Sequence, residues 1–157
     1  MSEDDEEGTV NIRVKDVMAK EPIMVESERT VKETAMVMDR SGHGCLLVTS
    51  GGRIVGIITE RDLVRRALAK GGSMSRIKIK NIMSSPLVVV DPDASVEDAA
   101  KVMAKHKVRR LPVVGPGGLA GLITVTDIAR YLAEQSENAP SVFKAMARSS
   151  SGSKIYA

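Results

Sequence analysis

Tryptophan is absent, Phe143 is the single phenylalanine, and aromatic residues make up only 2% of the 157. A core must therefore be assembled from Val, Ile, Leu, Ala and Met, and the stacking platforms that hold single-stranded nucleic acid are nearly missing. Cys45 is the only cysteine. That excludes an intramolecular disulfide and suits a small apolar core residue in a reducing compartment. His43 and His106 are the only histidines. No Cys/His metal spacing, no nucleophile–base constellation and no P-loop can be read, so neither catalysis nor a resident metal or cofactor is expected. Asn11, Asn81, Asn138 and Gln135 are the only side-chain amides, a depletion that points to a thermophilic source, although nine Met run against it. No apolar run reaches the length of a membrane span and no signal peptide is recognisable, so a cytoplasmic protein without a membrane partner is expected.

What is present begins with charge. Residues 1–11 open with five acids, Glu3, Asp4, Asp5, Glu6 and Glu7, and read as a disordered acidic leader. Without it, 23 Lys and Arg face 15 acids, so the net charge rises from +3 to +8. Such a body suits an anionic ligand, but equally RNA, DNA or anionic lipid.

The chain also contains itself twice. Val14-Lys15-Asp16-Val17-Met18 returns as Ile79-Lys80-Asn81-Ile82-Met83, an offset of 65 residues. At the same offset Val31, Ala35, Val37 and Met38 meet Val96, Ala100, Val102 and Met103. Gly52, Gly56, Ile58, Thr59, Asp62 and Arg65 meet Gly117, Gly121, Ile123, Thr124, Asp127 and Arg130. The repeats span 12–70 and 77–135, with a linker over 71–76 and a tail over 136–157 in which 139–148 suits a short helix.

Each copy reads as helical turn, strand, helix, strand, strand, helix. The turns are Val14–Met18 and Ile79–Met83. Pro22 and Pro86 lead into the strands Ile23–Val25 and Leu87–Val90. Thr30 and Ser95, with Glu33 and Asp98 three residues on, have the spacing of capping boxes. Val31, Ala35 and Met38, like Val96, Ala99, Ala100 and Met103, recur at helical spacing as a core-facing stripe. Glycine-rich turns at Ser50–Gly52 and Gly115–Gly118 then join two strands as hairpins. The fold class expected is α+β, two such motifs packed around a pseudo-twofold axis.

Chemistry concentrates in Gly56-Ile57-Ile58-Thr59-Glu60-Arg61-Asp62 and Gly121-Leu122-Ile123-Thr124-Val125-Thr126-Asp127. Thr and Asp at this spacing cap a helix. They also suit a ribose, since a carboxylate accepts bonds from vicinal hydroxyls. Spacing alone leaves both readings open. Two copies ending in Gly-apolar-apolar-Thr-x-x-Asp, with Arg109-Arg110-Leu111-Pro112-Val113-Val114 leading into a strand of the second, resemble the CBS motif pair, or Bateman module, over about residues 12–135.

That resemblance implies a regulatory module with two clefts for adenosine-containing ligands. Asp62 and Asp127 would hold ribose hydroxyls, assisted by Thr59 and Thr124. Lys20, Pro22, Ile23 and Met24, and Ser85, Pro86, Leu87 and Val88, would line adenine. His43, Gly44 and Cys45 would approach one ligand, and Lys107, Arg109 and Arg110 the phosphate of another, with Arg61 in reach of phosphate. The copies differ here, so the two sites are expected to be unequal. The ligand expected is AMP, ADP or ATP, with NAD and S-adenosylmethionine as alternatives. A homodimer through helical faces and a separate regulated protein are the expected partners. The competing readings are a nucleic-acid binder using the basic stretches 61–80 and 101–110, and an unliganded dimerisation or regulatory subunit.

Overall fold

The computed structural model describes residues 12–85 and 87–135. The acidic leader, Pro86 and the tail with its expected helix lie outside the described residues. The chain divides into a central unit, Glu21 to Val88, and a composite unit made of the residues up to Lys20 and those from Val89 onward.

In the central unit β1 (Met24–Glu26) runs parallel to β2 (Cys45–Ser50), which pairs antiparallel with β3 (Arg53–Thr59). Gly51 and Gly52 turn the hairpin at φ 57° and 77°, the left-handed pair that matches strand twist. Helix α2 (Val31–Ser41) starts where Glu33 N–H donates to the Thr30 hydroxyl at 3.2 Å, the N-cap bond of the box its spacing suggests. Its inward face is Val31, Thr34 and Met38. Ala35, expected inside, is exposed, and Thr34 is buried with its hydroxyl donating to Thr30 O at 2.9 Å. That bond satisfies the hydroxyl, so the stripe shifts by one position at no polar penalty.

The segment expected as a linker is tied down instead. The first two N–H groups of α2, on Val31 and Lys32, have no partner within the helix. They donate to Ile77 O and Met74 O at 2.9 Å each, so 71–76 is part of the unit's packing.

Beyond it, Ile79–Asn81 forms a single 3₁₀ turn that buries Ile79, and Ser84 pairs with Ile57 on the outer edge of β3. The glycine of β3 makes this possible. A Cβ on Gly56 would stand 2.5 Å from Met83 Sδ and 3.0 Å from Ser84 O. The close approach that a glycine permits is made here by the chain itself.

The composite unit repeats the plan. Helix α1 (Val14–Val17) precedes Ala19, which exchanges backbone bonds of 2.9 and 3.0 Å with Leu122 of β5 (Gly118–Thr124). A Cβ on Gly121 would lie 2.5 Å from Ala19 O and 2.8 Å from Met18 Sδ. Strand β4 (Arg110–Gly115) pairs antiparallel with β5. Helix α4 (Val96–His106) is capped by Ser95 Oγ, 3.0 Å from Asp98 N, and it turns Val96, Ala99 and Met103 inward while Ala100 is exposed. Helix α5 (Val125–Gln135) follows β5.

The strand expected over Leu87–Val90 is reduced to one parallel bridge, Val90 with Val113. The cause is Pro112. In the central unit Leu47 N–H donates to Ile23 O at 3.0 Å and anchors β1. The aligned residue is Pro112, which has no N–H to give.

The repeats and the units therefore do not coincide. The opening turn of each repeat is built into the unit that carries the strands and helices of the other.

One surface feature makes the acid limb of stability predictable. Glu28 Oε2 and Oε1 accept from Lys78 and Lys80 at 2.5 and 2.6 Å. These bonds, Lys78's first, hold its carboxyl at about 2 against the ordinary 4.5. A carboxylate with a depressed folded value adds stability above its unfolded value and loses it as pH falls through the folded one. Glu28→Gln is therefore expected to flatten the fall in stability from about pH 4.5 down to about 2. Urea unfolding at stepped pH reads this, and 1 M salt should blunt the effect because the groups are exposed.

Candidate ligand-binding site

Where β3 ends, the backbone passes from strand to helix at Thr59. Thr59 N–H donates to Asp62 Oδ2 at 2.9 Å, and Asp62 N–H returns to the Thr59 hydroxyl at 3.2 Å, a closed capping box. Where β5 ends, Thr124 N–H and Oγ1–H both donate to Asp127 Oδ2 at 2.9 Å, and Asp127 N–H donates to Thr124 Oγ1 at 3.1 Å. The capping reading of both pairs is thus realised in full. It occupies one carboxylate oxygen in each case.

The other oxygen faces an arginine. Arg66 Nε stands 3.7 Å from Asp62 Oδ1, and Arg130 donates to Asp127 Oδ1 at 3.4 Å. Arg66 also donates to Ile82 O at 3.0 Å and Met83 O at 3.3 Å, tying the carboxylate to the chain beside β3. The repeat aligns Arg65 with Arg130, which hides Arg66 from a comparison of the copies. The signal for it is its place four residues after Asp62, one helical turn on. After the short α3 (Glu60–Asp62) the helix widens to a π turn over Leu63–Ala67, whereas α5 is regular, so aligned residues do not present alike.

The start of β2 lies beside the end of β3, since Cys45 pairs with Thr59. Ile23 precedes β1 at the same end, bonded to Leu47. Thr59, Asp62, Gly44, Cys45, Pro22, Ile23 and Met24 are therefore gathered at one end of the central sheet. In the composite unit Thr124 pairs with Arg110, which brings Asp127, Thr124, Arg109 and Arg110 to the matching end of β4 and β5. Lys20 belongs to this composite unit, apart from Pro22, Ile23 and Met24, while Ser85, Leu87 and Val88 belong to the central one.

Asp62 is buried and Thr59, Thr124 and Asp127 are half-buried, whereas Lys20, Met24, Ser85, Arg61, Lys107 and Arg109 are exposed. His43 is exposed, and Cys45, expected in the core, is half-buried at the sheet end. Cys45 opens β2, where inward packing begins only at Leu46. A groove of about 350 Å³ elsewhere in the central unit runs between β1 and α2, and of the expected residues only Met24 lines it.

Lys107 ends α4 at φ 54°, where α2 ends on Gly42 at φ 71°. A non-glycine residue in this left-handed region costs about 1 kcal/mol. Lys107→Gly is accordingly expected to raise ligand-free stability by up to ~1 kcal/mol in thermal melts.

Two α+β units, each with a boxed Thr/Asp pair at one end of its hairpin, define a duplicated α+β module. A family model described as CBS domain matches residues 14–69 and 79–134, and the chain belongs to that family. It is 34% identical over 116 residues to the CBS domain-containing protein YhcV of Bacillus subtilis, covering 74% of this chain and 82% of that one. It is 34% identical over 117 residues to the inosine-5'-monophosphate dehydrogenase of Korarchaeum cryptofilum, covering 74% of this chain but 23% of that enzyme. Two other relatives are covered for 61% and 33% of their length. Among solved structures, the CBS domain pair of protein MJ0100 in complex with 5'-methylthioadenosine and S-adenosyl-L-methionine matches at TM-score 0.70. The identity is 28%, over 79% of this chain and 98% of that one.

Proposed function

We propose that the chain is a non-catalytic regulatory module that binds adenosine-containing ligands, one held by Thr59 and Asp62 and another by Thr124 and Asp127. One observation carries the reading: in both units the helix cap uses a single oxygen of the Asp and leaves Oδ1 turned away from the cap. An ionised carboxylate oxygen accepts more than one bond, so Oδ1 can take ribose hydroxyls while the cap stays closed. The likeness to a CBS pair that binds two adenosine compounds supports the same ligand class. Pro22, Ile23, Met24 and Ser85, Leu87, Val88 supply apolar and backbone contact for adenine. Lys107, Arg109, Arg110 and Arg61 are the cations offered to phosphate. A homodimer through helical faces suits the exposed Val64 and Leu68, and Val125 and Leu132.

The basic stretch 61–80 favours nucleic acid less than its charge count suggests. Lys78 and Lys80 share the Glu28 carboxylate, which offsets one of their two charges, and Arg66 is held by Asp62 and two carbonyls.

A thermal-shift screen over AMP, ADP, ATP, NAD, S-adenosylmethionine and 5'-methylthioadenosine tests the proposal. At least one is expected to raise the melting temperature with a logarithmic dependence on concentration. A flat response to all six would sink the reading.

A further inference from the structure

We infer that the two sites select ligands by charge: the Asp62 site takes an adenosine compound without phosphate, neutral or cationic, and the Asp127 site a phosphorylated one. This rests on the adenosine reading above and assigns a ligand class to each of its sites.

The two units supply an internal comparison. Glu60 N–H donates to Gly44 O at 3.0 Å, and Val125 N–H donates to Arg109 O at 3.0 Å. The same backbone bond thus fixes Gly44 with Glu60 in one unit and Arg109 with Val125 in the other, beside the Thr/Asp box each time. A Cβ placed on Gly44 would stand 2.9 Å from Glu60 Oε2 and 3.0 Å from its Cδ. The Glu60 carboxylate therefore lies against Gly44, in the space that a side chain there would fill. Its counterpart unit has a guanidinium-bearing residue at the first position and an apolar one at the second.

At this aligned position, beside the Asp proposed to hold ribose, the central unit sets a carboxylate and the composite unit an exposed arginine. A phosphate brought to the first meets Glu60 in addition to Asp62, and like charges at close range are repelled. A sulfonium or ammonium is attracted there, and a neutral 5' substituent is tolerated. Arg61 follows Glu60 in the chain, and Arg66 lies one helical turn beyond Asp62. Arg66 is spent on Asp62, Ile82 O and Met83 O, which leaves exposed Arg61 as the residue that would oppose the selection.

AMP and 5'-methylthioadenosine make a matched pair of probes, alike in base and ribose and different at the 5' position. Calorimetry on the full chain would compare Asp127→Asn, which isolates the Asp62 site, with Asp62→Asn, which isolates the other. Asparagine keeps an oxygen for the cap, and circular dichroism confirms that each variant folds. Asp127→Asn is expected to prefer 5'-methylthioadenosine over AMP by about tenfold or more, and Asp62→Asn to prefer AMP. Adding Glu60→Gln to Asp127→Asn is expected to shrink that preference about fivefold or more, and Glu60→Asp to retain it. An AMP-to-methylthioadenosine ratio that is equal in the two single variants, or unmoved by Glu60→Gln, overturns charge selection and leaves adenosine binding standing. Charge selection is overturned in the same way if Asp127→Asn binds neither probe while the parent binds one. A parent that binds neither overturns the inference together with the adenosine reading.

Discussion

Gly121→Ala is expected to lower the unfolding free energy by about 2–3 kcal/mol, a large share of the total for a domain of this size. The new methyl would sit 2.5 Å from Ala19 O, which accepts from Leu122 N–H while Ala19 N–H donates back to Leu122 O. Moving it means breaking the pairing that holds α1 to the composite sheet. Gly56→Ala should cost less, about 1–2 kcal/mol, because its nearest obstacle is Met83 Sδ at the end of a pliable side chain. Urea midpoints of the single and double variants separate the two cases. Met83→Ala is expected to recover much of the Gly56→Ala loss. Met18→Ala should recover little for Gly121→Ala, since Ala19 O stays in place. A Gly121→Ala chain as stable as its parent would contradict the packing described.

Asp127→Ala is expected to show two separable losses. The first is the cap, about 1 kcal/mol of ligand-free stability, because Asp127 Oδ2 accepts the Thr124 N–H. The second is affinity for the adenosine ligand of that site. Charge-assisted bonds are each worth about 1.5–3 kcal/mol, so losing the carboxylate should weaken binding roughly a hundredfold. Asp127→Asn keeps most of the first quantity and loses much of the second. Calorimetry and urea unfolding on the same preparations read the two effects independently. Equal affinity in the parent and both variants would leave Asp127 a capping residue only.

Much of this is legible in the residues. The 65-residue offset, the Thr and Ser caps, the glycine turns and the opening helical turns all correspond to observed elements, because each rests on local chemistry that repeats. What escapes a reading of sequence is whatever depends on a partner distant along the chain. Ile79 and Ile82 read as the start of the second repeat, yet they belong to the core of the unit built on the first. A perfect repeat looks the same whether its turns pack at home or are exchanged. The strand at Leu87–Val90 is overestimated because its fate lies with Pro112, whose missing N–H counts only once the strands are side by side. Glu60 draws no notice in the sequence, since its importance comes from lying on Gly44, and Arg66 is hidden because alignment favours Arg65. The widened turn over Leu63–Ala67 has no marker in composition.

The exchange of opening turns has a consequence for engineering. Neither repeat is a transferable part: a cassette of 77–135 would carry Met83 away from Gly56 and leave Gly121 without Met18. Substitutions at Met18 and Gly121, which lie in different copies, are therefore expected to couple energetically. A single repeat standing alone would lack the turn its sheet packs against and would have to take one from a second molecule.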